Sequence, residues 1–409
     1  MNKEQIEKTF ENGGGILRLL PTFVPRPAGK TGGRLKLHQD DIFAFGMNRG
    51  SIKERWLAST VLANNGSLTT PNEGLSFVSV DYKSDEKFSF KDAMDFLGER
   101  LIGKQLKQKY GQFPVFAKFF DYVTPLFFHT HLDFEHAALI GRFGKPEAYF
   151  FPRQLNNHGG DFPLTYFGFD PSVKPEQVKE CLRNFTVGDN KITELSRAFR
   201  LELDTGWFTP MGIAHAPGSY LTYEPQWCAD VTSVFENYTA GNVNPIEKLN
   251  SVIIEEKKND IDYIFDLLDW QANIDPDYKK KYFRPPIIES SDSAAELKWI
   301  SYANEYFCAK EITVFPEQTF ILKDDFAFGA IFIEGHGKFG NYYCESPTML
   351  RFGQQSSDEF FVSQDAAKKG IKIVNTSPVE PLVALLHFGP DNNKAPKNPP
   401  QNIYKKEED

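Results

Sequence analysis

Residues 113–131 read FPVFAKFFDYVTPLFFHTH, and the fold follows from how this stretch is taken. Two apolar runs are split by Asp121-Tyr122, and phenylalanine dominates both. Large aromatics in short runs suit packed β-sheets, so the stretch predicts two buried strands. Lys118 lies in the middle of the first run, where a buried lysine is unusual unless it is paired or used. The second run ends on His129-Thr130-His131. Side chains at i and i+2 of a strand point to one face, so the two imidazoles converge on a single point.

Downstream, short strands and turns continue to about residue 170. Helices are expected near 174–184 and 189–199, with Pro175 in the first turn of one and Asp189 or Asn190 capping the other. Strands resume at Arg200. Residues 244–270 predict a helix with Ile253, Ile254, Ile261, Ile264, Phe265 and Leu268 as its apolar positions. A polar, proline-rich connector runs from Asp275 to Asp292. From 300 to 390 short strands return, with turns at Gly335-His336-Gly337 and Gly340-Asn341. Upstream, residues 1–35 predict a short helix and then a Gly/Pro-rich loop. Residues 89–110 predict one amphipathic helix carrying Met94, Leu97, Leu101 and Leu106, with Gly111 as its stop.

Many short, turn-punctuated strands, present twice, give a mainly β fold of two jelly-roll β-barrels with helical decoration and a helical subdomain. The expected division is an N-terminal segment with strands and an amphipathic helix (1–112), a metal-binding barrel with a helical insertion (113–243), a helical connector (244–299), a second, degenerate barrel (300–392) and a flexible tail (393–409).

Composition narrows the function. The 409 residues carry a net charge of −9 and no Lys/Arg run able to track phosphates, which excludes a nucleic-acid role. No apolar stretch is long enough to span a bilayer, and the first residues have no signal-like apolar core. Cys181, Cys228, Cys308 and Cys344 are scattered without a C-x-x-C, as in a reduced, cytoplasmic protein. Gly13-Gly14-Gly15 lacks the G-x-G-x-x-G spacing after a strand, so nucleotide binding is set aside. The expected ligand is a small molecule.

Glu147, in Gly144-Lys145-Pro146-Glu147-Ala148-Tyr149, opens a strand 16 residues beyond His131. His215 follows a turn in Thr209-Pro210-Met211-Gly212-Ile213-Ala214-His215. An isolated His-x-His is more often a polar strand end than a ligand pair. A carboxylate and a third imidazole, each in a turn–strand setting, turn the reading towards a divalent metal with room for water or substrate.

These segments resemble the type I mannose-6-phosphate isomerases, zinc-dependent members of the cupin superfamily. Phe113-Pro114-Val115-Phe116-Ala117-Lys118 is similar to their F-P-L-L-x-K, His129-Thr130-His131 to Q-x-H-P, and Gly144 to Tyr149 to G-K-T-E-A-W. Phe208 to Ala216 resembles F-x-P-A-G-T-x-H-A, Tyr223 to Asp230 resembles x-E-I-Q-Q-x-S-D, and Glu54 to Ser59 resembles E-x-W-x-x-S. The resemblance runs from about residue 50 to 232. It implies two cupin-type barrels and metal ligands His129, His131, Glu147 and His215. Lys118 and Glu224 would serve proton transfer or substrate hydroxyls in an aldose–ketose isomerase acting through an enediol on a sugar or sugar phosphate. Glu135 would be the carboxylate under the general cupin spacing His-x-His-x-x-x-Glu, but the G-K-T-E match favours Glu147.

Two departures stand out. His129 replaces the family's glutamine, a three-His, one-Glu set that admits iron, manganese or nickel beside zinc. Val234 stands where the family carries an active-site arginine, for which Arg153 or Lys145 would have to substitute. These departures leave two other readings: an iron or manganese oxygenase-type cupin, and a non-catalytic carbohydrate-binding homologue. His136 and His158 match no motif and are expected at the surface.

Overall fold

The computed structural model describes residues 2–27, 29–158, 160 and 162–401. Its strands form two barrels, as the sequence predicts. In the first, one sheet runs in the order Phe283–Arg284, Gly206–Thr209, Glu147–Phe150, Thr222–Trp227, Val115–Phe120, Ser51–Leu57, Thr22–Arg26. Its companion sheet runs Ser196–Arg200, Leu164–Phe169, His215–Ala216, His129–Thr130, Ser233–Val234. In the second barrel a sheet ordered Ile16–Arg18, Glu359–Val362, Phe328–Glu334, Leu382–Phe388, Cys308–Val314, Ala295–Ser301, Ile287–Ser291 is joined by a smaller one built from Thr319–Leu322, Ile371–Asn375, His336–Phe339 and Tyr342–Glu345.

Period-two alternation explains how the barrels meet. Along Val115–Phe120, Ala117 and Phe119 enter an apolar layer with Leu57, Phe150 and Tyr223 on their own barrel and Ile331, Ile333, Val383 and Leu385 on the other. Phe120 packs on the opposite face with Tyr149, Phe167 and Trp207, inside the first barrel, and Lys118 shares that face. The second barrel fills its own interior with Phe328, Phe332, Phe339, Phe360, Leu382 and Phe388. Each such fully buried side chain contributes roughly 1.5–3 kcal/mol. The N-terminal segment ties the two together: Ile16–Arg18 pairs with Glu359–Val362, and Thr22–Arg26 with Ser51–Leu57.

Several local expectations are corrected. The 89–110 helix is three pieces, Phe90–Leu97, Glu99–Ile102 and Lys104–Tyr110, broken at Gly98 (φ 51°) and Gly103 (φ 83°), which take backbone angles other residues avoid. Met94, Leu97, Leu101 and Leu106 are nevertheless buried together, and Gly111 is the left-handed stop. Pro175 opens the helix Pro175–Arg183, but 189–199 is a 3-10 turn, Ile192–Leu195, followed by the strand Ser196–Arg200 that pairs with Leu164–Phe169. There the Asp189 carboxylate accepts from Lys191 N in a tight turn instead of capping a helix. Residues 244–270 are likewise short turns, Ile246–Leu249, Glu255–Lys257 and Ile261–Asp266, with Asn259 at φ 63° before the last. The loop expected before residue 35 holds two strands, and the second apolar run of 113–131 is irregular until His129.

Of the expected tail, residues 402–409 lie outside the described residues; Pro396 O accepts from Ala303 N at 2.9 Å. The four cysteines are free. Among the described residues no helix is long and apolar enough to cross a membrane.

Candidate metal centre

Two strands of the smaller sheet, His129–Thr130 and His215–Ala216, and one of the larger, Glu147–Phe150, bring the four predicted residues to one place inside the first barrel. His215 and His129 are direct antiparallel partners, and Val234 pairs with His129 from the other side. His131 follows two residues on, facing the same way. The ring centroids lie 4.2 Å (His129–His215), 4.9 Å (His129–His131) and 5.1 Å (His131–His215) apart. Among the described residues these three form the one group of metal-ligating side chains whose ligand atoms all lie within 4.8 Å of one another.

The backbone fixes which nitrogen faces inward. His129 Nδ1 is 2.8 Å from Phe127 O, His131 Nδ1 2.6 Å from Val231 O, and His215 Nδ1 2.8 Å from Ile213 O. A carbonyl only accepts, so each Nδ1 carries the hydrogen and each Nε2 presents a lone pair. Burial, with the neighbouring imidazoles, holds His129 well below the usual histidine range. Burial and then Lys145 bring His131 down to about 4. These two rings are therefore neutral at pH 7.

Glu147 closes the cluster from the facing sheet. Its Oε2 lies 3.0 Å from His131 Nε2 and its Oε1 3.1 Å from His215 Nε2. Burial opposes its charge, but Lys145 and then His131 hold the carboxyl well below its ordinary range. An ionised carboxylate facing imidazole lone pairs is repulsive unless a cation joins them. Lys145 supplies part of that charge, donating to Glu147 Oε2 at 2.5 Å and to His131 Nε2 at 3.1 Å. His215 Nε2 stays buried without a hydrogen-bond partner. Three imidazole nitrogens and a carboxylate, one nitrogen orphaned, are the donor set of a divalent ion, and the residues fit one.

Around the cluster lies a cavity of about 400 Å³. Lys118 and Glu224 are cross-strand partners on its wall, with Nζ and Oε1 3.1 Å apart. Glu224 Oε1 is buried without an aligned hydrogen bond, although Lys145 Nζ also lies 3.4 Å away. Burial, reinforced by the charge of Glu147, pushes the Glu224 carboxyl up to about 8. Tyr149 donates its hydroxyl to Glu147 Oε1.

The other expectations sort by exposure. Glu135 is exposed on the helix Phe134–Leu139, away from the cluster. His136 bonds Asp133 in the same turn, and His158 is exposed. Val234 is buried and lines the cavity. Of the two cations expected to compensate for it, Arg153 pairs with Asp204 on the surface and Lys145 is in the cavity.

Sequence reasoning missed Arg26, Asp230 and Lys248. Arg26 ends the strand Thr22–Arg26, bonds both oxygens of Glu54, and reaches Asp230 at 3.4 Å. Burial opposes the charge of Glu54, but Arg26 and then Lys118 bring its carboxyl down to about 2. Pro25-Arg26-Pro27 reads as loop, and only the strand pairing of Val24 with Glu54 reveals where the guanidinium goes.

No protein-family model matches the sequence, and no curated protein sequence matches it. Solved structures do share the fold. A point mutant of the phosphomannose isomerase of Salmonella typhimurium aligns with a TM-score of 0.61 and 11% identity, over 92% of this chain and 100% of that one. The mannose 6-phosphate isomerase of Bacillus subtilis aligns with a TM-score of 0.57 and 17% identity, over 91% and 99%. A mannose 6-phosphate isomerase bound with zinc and yttrium gives 0.57 and 11%, over 92% and 100%. At these identities the likeness is one of fold. It extends over nearly the whole of each molecule, the second barrel included.

Proposed function

We propose that this chain is a divergent, metal-dependent aldose–ketose isomerase, acting on mannose 6-phosphate or a related sugar, and that its ligands are His129, His131, Glu147 and His215. The observation that carries the reading is the inward Nε2 lone pair of three backbone-oriented imidazoles, set against one carboxylate at the wall of a sugar-sized cavity. Zinc is the expected ion, with iron, manganese or nickel as alternatives for the same donors. A bound ion would supply Lewis acidity towards a sugar carbonyl.

The remaining chemistry falls to side chains. Isomerisation between a 2-hydroxy aldehyde and a 1-hydroxy ketone moves a proton between adjacent carbons. Glu224 is the proton carrier: its Oε1 is buried and free of aligned hydrogen bonds, so a lone pair is available. Lys118, its cross-strand partner, holds the carboxylate in place and donates to substrate hydroxyls. Lys145 keeps Glu147 ionised and available to a cation. The apolar wall of Tyr122, Leu126 and Phe127 excludes water around a sugar ring.

The test is turnover of zinc-loaded protein on mannose 6-phosphate and free mannose in deuterated water. Ketose should appear with deuterium at the carbon that was protonated. Zinc-loaded protein that exchanges no C2 proton across a panel of free and phosphorylated aldoses sinks the proposal.

A further inference from the structure

We propose that the crevice between the two barrels binds a single halide ion, chloride under ordinary conditions, through Lys36 and Arg55. The site is separate from the metal cluster and stands whether or not the chain is an isomerase.

Lys36 takes a left-handed backbone, φ 59°, where glycine or asparagine is the usual choice. The second barrel pins it there: Leu350 N donates to Lys36 O at 2.7 Å, and His38 N to Leu350 O at 2.9 Å. The lysine side chain turns in between the barrels, where its Nζ donates to Ser346 Oγ at 2.6 Å and to Ile333 O at 3.3 Å. Both acceptors are neutral, and no carboxylate of the described residues stands within ion-pair distance of the ammonium. Burial lowers it from its ordinary range, and Asp358, acting from farther off, does not make up the difference.

Arg55, on the strand Ser51–Leu57 of the first barrel, is buried as well. Its terminal nitrogens meet Asp358 at 2.7 and 2.8 Å and Glu359 at 3.1 Å. Its Nε is left buried without a hydrogen-bond partner, which is rare for a buried N–H. Arg34, the third cation on the wall, is matched by Asp121 at 2.7 Å, and its other nitrogens are spent on Asn156 Oδ1 and on the carbonyls of His158, Tyr122 and Ser219. It adds positive field and no free donor.

These three cations, Ser346 and Asp358 line a void of about 20 Å³, with apolar side chains such as Phe119 and Ile331 on the rest of its wall. That volume holds one water or one monatomic ion, and a phosphate, a sulfate or an organic carboxylate does not fit. Charge and donors decide between the two. The oxygens of Asp358, the one carboxylate on the wall, already accept from Arg55 and from Ser356 Oγ. A water would find donors for its lone pairs and little to take its own hydrogens. A halide only accepts, and it gives the unmatched ammonium a counter-charge. Arg55 belongs to the first barrel and Ser346 to the second, so the ion sits across their junction.

The test replaces chloride with bromide in crystals of the full-length protein. Anomalous scattering should show one bromide in the void between Lys36 Nζ and Arg55 Nε. In solution, exchanging gluconate for chloride at constant ionic strength should raise the melting temperature by at least about 2 °C. Lys36→Met keeps a long side chain on the same backbone and removes the charge. It should lose the bromide and most of the chloride-specific shift. A water in the void of the bromide crystals overturns the proposal. So does a bromide peak without a halide-specific shift in solution, which is binding at crystal concentration only, and so does an equal shift in Lys36→Met. Should that variant fail to fold, the two measurements on the wild type decide.

Discussion

Lys118 and Lys310 are both buried lysines at the centre of apolar strands, one in each barrel. Lys310 is closed in on every side. Asp324 lies at 2.8 Å, Glu289 at 2.9 Å, and the ammonium sits 4.1 Å from the centre of the Trp299 ring. Lys118 has one poorly aligned partner, Glu224, and an open cavity in front of it. A buried lysine in a strand is therefore not a mark of chemistry by itself. What marks it is incomplete satisfaction facing a space that a ligand can enter. The barrels differ in the same way: the second closes phenylalanine and leucine around its paired lysine, and the first opens a cavity beside its charged cluster.

The largest effect should come from emptying the metal cluster. His131→Ala should lose its bound zinc and lower kcat by more than about a thousandfold. His387→Gln, a buried histidine of the second barrel, should keep the metal, as read by elemental analysis of the purified proteins. Zinc retained by His131→Ala would break the contrast.

The two lysines should then separate stability from activity. Lys310→Met leaves Asp324 buried and without its main counter-charge, and should cost about 3–5 kcal/mol in urea unfolding. Lys118→Met leaves Glu224 near Lys145 and the open cavity. It should change stability by only about 1 kcal/mol or less while lowering kcat about 100-fold or more. Equal destabilisation by both would show that Lys118 is structural.

The smallest effect is the share that the buried His387 of the second barrel takes in the pH dependence of stability. Burial pulls His387 down to about 3, while the unfolded chain takes up this proton near 6.5. Between those values the unfolded state binds more protons, so stability is full above about pH 6.5 and falls as the pH falls towards 3. From pH 7 to 5.5 its contribution should be on the order of 1 kcal/mol, and His387→Gln should lower the slope by about that amount while the share of His129 and His131 stays. An unchanged slope would mean that other groups carry it.

The architecture was legible because strand periodicity and turn residues repeat along the chain, and the gathering of His129, His131 and His215 because His-x-His and a post-turn histidine are short-range patterns, whereas Glu147 was chosen over Glu135 only through the resemblance of its segment to G-K-T-E. Helix lengths were not legible. The apolar spacing of Met94, Leu97, Leu101 and Leu106 reads as one helix, yet Gly98 and Gly103 between them each take a positive φ and end a turn. Arg26 was lost for the opposite reason: its prolines suggest a loop, and its partner Glu54 is set by strand pairing, which one sequence does not display. Lys248 was hidden in a stretch read as helix, where nothing distinguishes it from a solvated lysine until the packing against Phe127 is known.

Two of the three imidazoles hand their outer hydrogen to the carbonyl two residues earlier on their own chain, and the third to a carbonyl at Val231. No side chain is needed to steer them. Their aim would survive the replacement of almost any neighbouring side chain, so the residues that line the cavity can change without turning the three inward nitrogens away from one another. Such an arrangement lets specificity drift while the reactive core stands still.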